Sequence, residues 1–297
     1  GIRRREYRDE REALFDCLRL SRAMTYKAAL LDLPAGGGKI VLMDDEKVDW
    51  PRAYRHIGDV VQTLGGSFYT GPDVNTGAKE LASVAEQTTY VTDPGDSGPG
   101  ELAEATAEGV FQGMAAALRS RFGAEDWASR TIVVQGLGAV GSGVARRARA
   151  LGARVVGADV LEDRALAVAD ELDIEIVDPG SAIEVPCDVF SPSALGGLLH
   201  DLSLSRLRCK IVAGGANNQL ARMLVGDELH DMGVLYTPDF VINAGALVRG
   251  TIFHLERRRE PVEAIGKRIG AVAERILECA LEEDDAPARV AIRLAEA

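Results

Sequence analysis

Thr131-Ile132-Val133-Val134-Gln135-Gly136-Leu137-Gly138-Ala139-Val140-Gly141-Ser142 is the stretch that decides the fold. A β-branched run of strand type leads into G-x-G-x-x-G, and a helix-like segment follows from Ser142 to Leu151. Gly152 closes that helix, Arg154 to Ala158 reads as the next buried strand, and Asp159-Val160 stands at its C-terminal end. Strand, glycine turn, helix, strand and acid in this order form a dinucleotide-binding fingerprint. Its glycines permit a tight turn and close backbone approach, while the helix N-terminus offers unpaired N–H groups to a pyrophosphate. The segment Gly136, Leu137, Gly138, Ala139, Val140, Gly141 and Ser142 is therefore expected to cradle the cofactor. Asp159, with Val160 beside it, is expected to accept hydrogen bonds from the adenosine ribose hydroxyls. Its charge would repel a 2′-phosphate, so NAD is expected rather than NADP.

Upstream lies a second informative stretch, Met24-Thr25-Tyr26-Lys27 through Gly36-Gly37-Gly38-Lys39. Leu20, Met24 and Lys27 fall at i, i+4 and i+7, so Lys27 shares the apolar face of a helix. The three glycines remove every side chain ahead of Lys39 and leave backbone N–H groups within reach of a ligand. Two lysines so placed suit a closed pocket where a substrate carboxylate needs a positive partner and an amine needs desolvating. The same spacing also fits a Lys27 stem laid on apolar surface followed by a plain glycine-rich turn.

A length of 297 residues is enough for two domains. The formal net charge of −12 argues against nucleic acid or an anionic membrane as partner. No apolar run approaches the ~20 residues that cross a bilayer as a helix. Cys17, Cys187, Cys209 and Cys279 are scattered, with no C-x-x-C spacing, and are expected to be reduced in a cytoplasmic protein. His56, His200, His230 and His254 match no metal spacing, so no metal is expected.

Six motifs occur in order: MTYK ending at Lys27, LPAGGGK ending at Lys39, TGPDVNT from Thr70, VQGLGAVG from Val134, AGGANNQL from Ala213 and PDFVINAGA from Pro238. Together they make the chain resemble the leucine/phenylalanine/valine dehydrogenases, the amino-acid branch of the glutamate dehydrogenase superfamily. The TGPDVNT and GLGAVG wording looks closest to the bacterial phenylalanine dehydrogenases, and the likeness runs from Gly1 to the C-terminal end. It implies NAD-dependent oxidative deamination of an apolar or aromatic L-amino acid to its 2-oxo acid and ammonia, reversible as reductive amination, by a homo-oligomer. It implies an α/β fold of two domains, an α/β substrate-binding domain and a Rossmann-type doubly wound NAD-binding domain, with a cleft between them. By the same resemblance Lys27 pairs with the substrate α-carboxylate, beside the backbone of Gly37 and Gly38. Lys39 is the catalytic base towards water, and Asp73 exchanges protons with the amino group. Asn243 and Asn217 orient substrate and nicotinamide ribose, and Thr106 falls where the family holds the carboxamide. Gly1-Ile2-Arg3 looks like the tail of the family's GGxR element and puts Arg3 among the cofactor-binding residues. Two other readings stay open: a pseudoenzyme or regulator that binds NAD and an amino acid without turnover, and a pathway-specific biosynthetic relative.

Residues 1–104 read as the substrate-binding and catalytic domain, and 105–276 as the NAD-binding domain. The first is expected to be N-terminally incomplete, since the chain starts at Gly1 without Met, and to be completed by a helical segment of about 277–297. A strand is expected at Ile40–Met43, a helix through Ala53, Ile57, Val60, Val61 and Leu64, and a strand at Ser67–Thr70 that delivers Asp73 on a loop. The turn-rich Asp93–Gly100 stretch marks the boundary. The helix from Val262 to Leu281 is expected to return to the first domain, with Ile265, Ile269 and Val272 as candidate walls of a side-chain pocket. Three departures from the family stand out. Ala246 replaces the second glycine of NAGG, Gly98–Ala105 has its own wording before Thr106, and Ala35 stands where a larger residue commonly precedes the glycines.

Overall fold

The computed structural model describes residues 1–92, 98–194 and 196–297. They divide into two compact units, one of Gly1–Glu101 with Arg249–Glu260, the other of Leu102–Val248 with Pro261–Ala297.

The first unit pairs β1 (Ile2–Arg5) with β2 (Ile40–Met43) in parallel, Ile2 opposite Ile40. Helix α1 (Glu10–Leu30) starts where the Asp9 carboxylate accepts from the Glu12 N–H, and α2 (Trp50–Thr63) is capped likewise by Asp49. Helix α3 (Ala78–Ala85) follows. Ile2, Tyr54, Leu81, Val84 and Val91 make the core of this unit, with Trp50 half-buried at its rim beside Tyr54 and the Arg4 guanidinium. The strand expected at Ser67–Thr70 does not form; that segment makes one bridge, Thr70 with Val91. Pro72 lacks the N–H that a longer ladder would need. Of the expected boundary stretch, Asp93–Ser97 lie outside the described residues.

The second unit opens with α4 (Leu102–Phe122) and β3 (Thr131–Gln135), α5 (Ala139–Ala150), β4 (Arg154–Ala158), α6 (Glu162–Leu172) and β5 (Glu175–Ile176). It continues through β6 (Val189–Pro192), α7 (Asp201–Leu204), β7 (Ile211–Val212), α8 (Leu224–Asp231), β8 (Leu235–Tyr236) and α9 (Asp239–Ile242). The six strands are all parallel, in the order β5-β4-β3-β6-β7-β8. This is the doubly wound Rossmann-type arrangement, and the winding reverses between β3 and β6. Ile132, Val133 and Val134 are all fully buried, as a central parallel strand covered on both faces requires. Trp127 is buried after α4 and stacks on Phe111, centroids 4.6 Å apart.

The end of the chain departs from expectation. Helix α10 (Gly245–Glu256) belongs to the first unit from Arg249 onward, whereas α11 (Val262–Glu283) and α12 (Pro287–Glu296) both lie in the second. So 277–297 does not complete the first unit; 249–260 does. The cause is packing: α11 runs along α4, and α12 rests on α11 and α8. A Cβ on Gly109 would strike Ile269, and one on Gly266 would strike Glu108, so glycines let α4 and α11 approach closely. Ile265 and Ile269 are fully buried in this contact and are core residues rather than pocket walls.

No helix of the described residues is long and apolar enough to cross a membrane, and none of their His, Cys, Asp and Glu side chains cluster in a way that could hold a metal ion. All four cysteines are free thiols.

Candidate functional site

In the first unit the site is built around β1. One edge of β1 pairs with β2; on the other, the Ile2 N–H donates to Gly71 O at 3.0 Å and the Arg4 N–H to Val74 O at 3.0 Å. Lys39, just before β2, and Asp73, in the 71–74 segment, are thereby drawn to either side of Arg3. A tight turn fixes Asp73: its carbonyl accepts from the Thr76 N–H at 2.9 Å, with Asn75 in the left-handed region at φ 55°.

The Asp73 carboxylate is shared. Oδ2 accepts from Lys39 Nζ, while Oδ1 accepts from the Val74 N–H at 2.6 Å and from Arg3 Nε and Nη2 at 3.4 and 3.3 Å. Nη1 of Arg3 turns the other way, to Asp16 Oδ2 at 3.3 Å, which also accepts from the Tyr7 hydroxyl at 2.7 Å. The Lys39 side chain is only 8% exposed. Burial drives the pKa of its amine down; the Asp73 charge opposes and the Arg3 charge assists, and the net shift is downward. Burial pushes the Asp73 carboxyl up, but the charge and hydrogen bond of Lys39, then Arg3 and the Val74 N–H, outweigh it and hold the group below its usual range.

Lys27 occupies the last turn of α1 and is buried with Leu20, as the periodicity predicts. The glycine run works differently from the expectation. Gly37 donates its N–H to Thr25 Oγ1 at 3.1 Å, and a Cβ there would run into the Ser21 carbonyl and Thr25 backbone of α1. A Cβ on Gly38 would strike the Phe68 ring, and only Gly36 faces open space. Gly37 and Gly38 thus let the loop lie against α1 and Phe68, and the Gly37 N–H is already spent. Arg3 likewise has its guanidinium engaged by two carboxylates of the first unit, a different task from the cofactor contact expected of it.

In the second unit, a set of polar groups converges at the C-terminal ends of β3, β6, β7 and β8. Gly136 has φ +98° and a Cβ there would strike Ala194, while one on Gly141 would strike the Gly136 carbonyl. Only glycine serves at both. Gly138 begins α5, whose first turn carries no side-chain cap, so its leading N–H groups are available to an anion. Ser142 spends both its N–H and its hydroxyl on Gly138 O, each at 2.9 Å. Asp159 is buried; Oδ2 accepts from the Leu137 N–H at 2.7 Å and from Arg164 at 3.3 Å, and Oδ1 from the Leu161 N–H at 2.9 Å. Burial raises this carboxyl's pKa, but the two N–H bonds and Arg164 prevail and keep it low. Val160 is exposed beside it, and Leu137, Ala139 and Val140 complete the turn.

Asn243 ends α9 and is buried. Its Nδ2 donates to Gly215 O, Ala216 O and Asn217 Oδ1 at 3.2, 3.3 and 3.1 Å, which unites the two asparagines. Its Oδ1 is buried with no hydrogen-bond partner among the described residues, an acceptor suited to a ligand's donor. The Gly215 N–H donates to Ser193 Oγ at 3.2 Å, and a Cβ on Gly215 would press on Val140, so this loop abuts the glycine turn. Thr106 is buried; its hydroxyl donates to Leu102 O at 3.0 Å and accepts from the Ala246 N–H at 3.1 Å. Gly245 approaches α4 so closely that a Cβ would strike the Ala105 carbonyl, whereas Ala246 carries its methyl without displacing that contact.

Asp16 and Ser193 are absent from the sequence reading. A polar residue directly after the buried strand Val189–Pro192, level with the glycine turn, is the signal that would have found Ser193. Nothing in the sequence marks Asp16, because its partners are 13 and 9 residues away and meet only through the fold.

Residues 1–90 match the family model described as Glu/Leu/Phe/Val dehydrogenase, dimerisation domain, and 159–253 match Glutamate/Leucine/Phenylalanine/Valine dehydrogenase. A leucine dehydrogenase of Geobacillus stearothermophilus is 37% identical over 279 residues, covering 92% of this chain and 76% of that one. A phenylalanine dehydrogenase of Lysinibacillus sphaericus is 35% identical over 257 residues, 84% of this chain and 68% of the relative. Among solved structures, the L-tryptophan dehydrogenase from Nostoc punctiforme superposes with a TM-score of 0.86 at 35% identity, over 100% of this chain and 86% of that one.

Proposed function

We infer, since this chain belongs to the glutamate/leucine/phenylalanine/valine dehydrogenase family, that it is an NAD-dependent L-amino-acid dehydrogenase. It converts an apolar or aromatic L-amino acid to its 2-oxo acid and ammonia, and runs in reverse as reductive amination. The observation that carries the assignment of the site is the buried contact between Lys39 and Asp73.

NAD, when bound, accepts the hydride from the substrate α-carbon; the protein binds, orients and moves protons. The leading N–H groups of α5 suit the pyrophosphate, Asp159 borders the adenosine ribose, and the free Oδ1 of Asn243 suits a donor on substrate or nicotinamide ribose. Thr106 and Asn217 act beside it. Lys27 supplies the positive charge for the α-carboxylate. Oxidation leaves an iminium, which water attacks at carbon. Neutral Lys39, favoured by its lowered pKa, takes the proton from that water. Asp73, ionised at rest, takes a proton from the substrate ammonium before the hydride leaves and returns it to the nitrogen of the adduct, whose collapse releases ammonium and the 2-oxo acid. A binding-only relative is not favoured, because Lys27, Lys39 and Asp73 are all present and the latter two touch.

No basic residue beyond Lys27 and Lys39 lies in the substrate motifs, so a side-chain carboxylate would be buried unpaired at a cost of several kcal/mol. Large apolar or aromatic amino acids are therefore the substrates and glutamate is rejected; Ala35 leaves room beside the loop. The chain acts as a homo-oligomer in the cytoplasm. Leu14, Phe15 and Leu18, each about three-fifths exposed on α1, support the association of copies, within the stretch that matches a dimerisation domain. A panel of L-amino acids, followed by NADH formation, tests the reading. Lys39→Ala should lower turnover about a hundredfold or more while cofactor titration still shows NAD binding. A variant that kept more than about a tenth of the wild-type rate would sink the base role of Lys39.

A further inference from the structure

Arg3 lies half-buried between two carboxylates, and its position poses a physical question. Asp73 facing Lys39 alone would make a one-to-one ion pair, and such a pair holds the amine protonated. A catalytic base needs the opposite. Here a second cation occupies the other oxygen of the same carboxylate, with Arg3 Nε and Nη2 on Oδ1 and Lys39 on Oδ2. Arg3 dilutes the hold of Asp73 on Lys39 and repels a second positive charge beside it. Asp16 takes up the remaining edge of Arg3 and is itself steadied by the Tyr7 hydroxyl. These groups are little exposed, so solvent screens them weakly: Arg3 13%, Asp16 19%, Asp73 15% and Lys39 8%.

We propose that Arg3 and Asp16 are paired positioning residues that tune Lys39 in opposite directions, Arg3 favouring its neutral, working form and Asp16 restraining that effect. The proposal rests on the reading of Lys39 and Asp73 as the catalytic pair. Among the described residues, the charged and titratable groups around that pair are Arg3 on β1, Asp16 and Cys17 on α1, and Tyr7 between the two elements. Burial is the first cause of the low pKa of Lys39, and Arg3 adds to it while Asp16 opposes, in keeping with the geometry.

The test is the pH profile of kcat/KM for deamination, measured on the intact chain. The rate rises with pH as Lys39 loses its proton. Arg3→Gln keeps a donor for Asp73 but removes the charge, and should move that rise to higher pH by about one unit, the lower end of what one adjacent charge does. Asp16→Asn should move it to lower pH, and Arg3→Lys should restore it nearly to the wild-type position. A purely structural role would lower the rate at every pH without displacing the rise. If both neutral variants leave it in place, or shift it in the same direction, the proposal is overturned. If Arg3→Gln fails to fold by circular dichroism, Asp16→Asn decides alone, a downward shift supporting the tuning and an unmoved profile overturning it. Lys39→Ala and Asp73→Asn separate this outcome from failure of the underlying reading. Should those two retain turnover, the catalytic pair itself is wrong; should they abolish it while the profiles stay fixed, only the tuning is.

Discussion

Both carboxylate oxygens of Asp159 are engaged within the protein, one by Leu137 and Arg164, the other by Leu161. The residue therefore joins the glycine turn to the end of β4, in addition to the ribose contact proposed for it. Asp159→Ser should narrow the preference for NAD over NADP, because a 2′-phosphate would no longer meet a like charge. It should also destabilise the protein by about 1–3 kcal/mol, through the buried Leu137 N–H left without its acceptor. The ratio of kcat/KM for the two cofactors and a denaturant midpoint measure the two effects separately. A wild-type protein that used NADP as well as NAD would overturn the specificity argument. At this scale the burial of Lys27 was legible from helical periodicity and the place of Asp159 from the strand before it, whereas Asp73 was singled out only through the family resemblance. The partners of Arg3 were not legible. They follow from β1 lying between β2 and the 71–74 segment, a tertiary fact that no local spacing encodes.

Among the elements, β2, β3 and β4 lie where the hydrophobic pattern puts them, since buried parallel strands carry strong local signals, while α5 starts at Ala139, ahead of the expected Ser142. The single bridge at Thr70 and the placement of α11 and α12 were not readable, the first cut short by Pro72, the second decided by glycine faces on two distant helices. The start of α10 shows the same principle in one residue. Gly245→Ala would press a methyl into the Ala105 carbonyl and disturb the bond from Ala246 to Thr106. Its expected cost is about 1–3 kcal/mol, read as a lower urea midpoint at unchanged slope. Ala246→Gly, which restores the family's residue, should cost about 1 kcal/mol or less. If the two variants proved equally harmful, close approach at Gly245 would not be the reason for that glycine.

For the whole molecule, the two units hold one tryptophan each, Trp50 in the first and Trp127 in the second. Trp127 is 4% exposed and stacked on Phe111, whereas Trp50 sits at a rim under the Arg4 guanidinium, 4.6 Å from its ring centre. The chain thus carries two intrinsic optical reporters with different surroundings. Trp127 should emit at shorter wavelength, and Trp50 should be the more readily quenched by iodide. Replacing either with Phe leaves a fluorophore that watches one unit alone. With NAD at about a hundred times its dissociation constant, binding adds about 2.7 kcal/mol to whatever unfolds with the site. Trp50→Phe, reporting through Trp127, should show that gain as a higher melting midpoint, and Trp127→Phe should show little of it. The reverse pattern would assign the dinucleotide to the other unit. Emission from two side chains can therefore locate the nucleotide without a single turnover being measured.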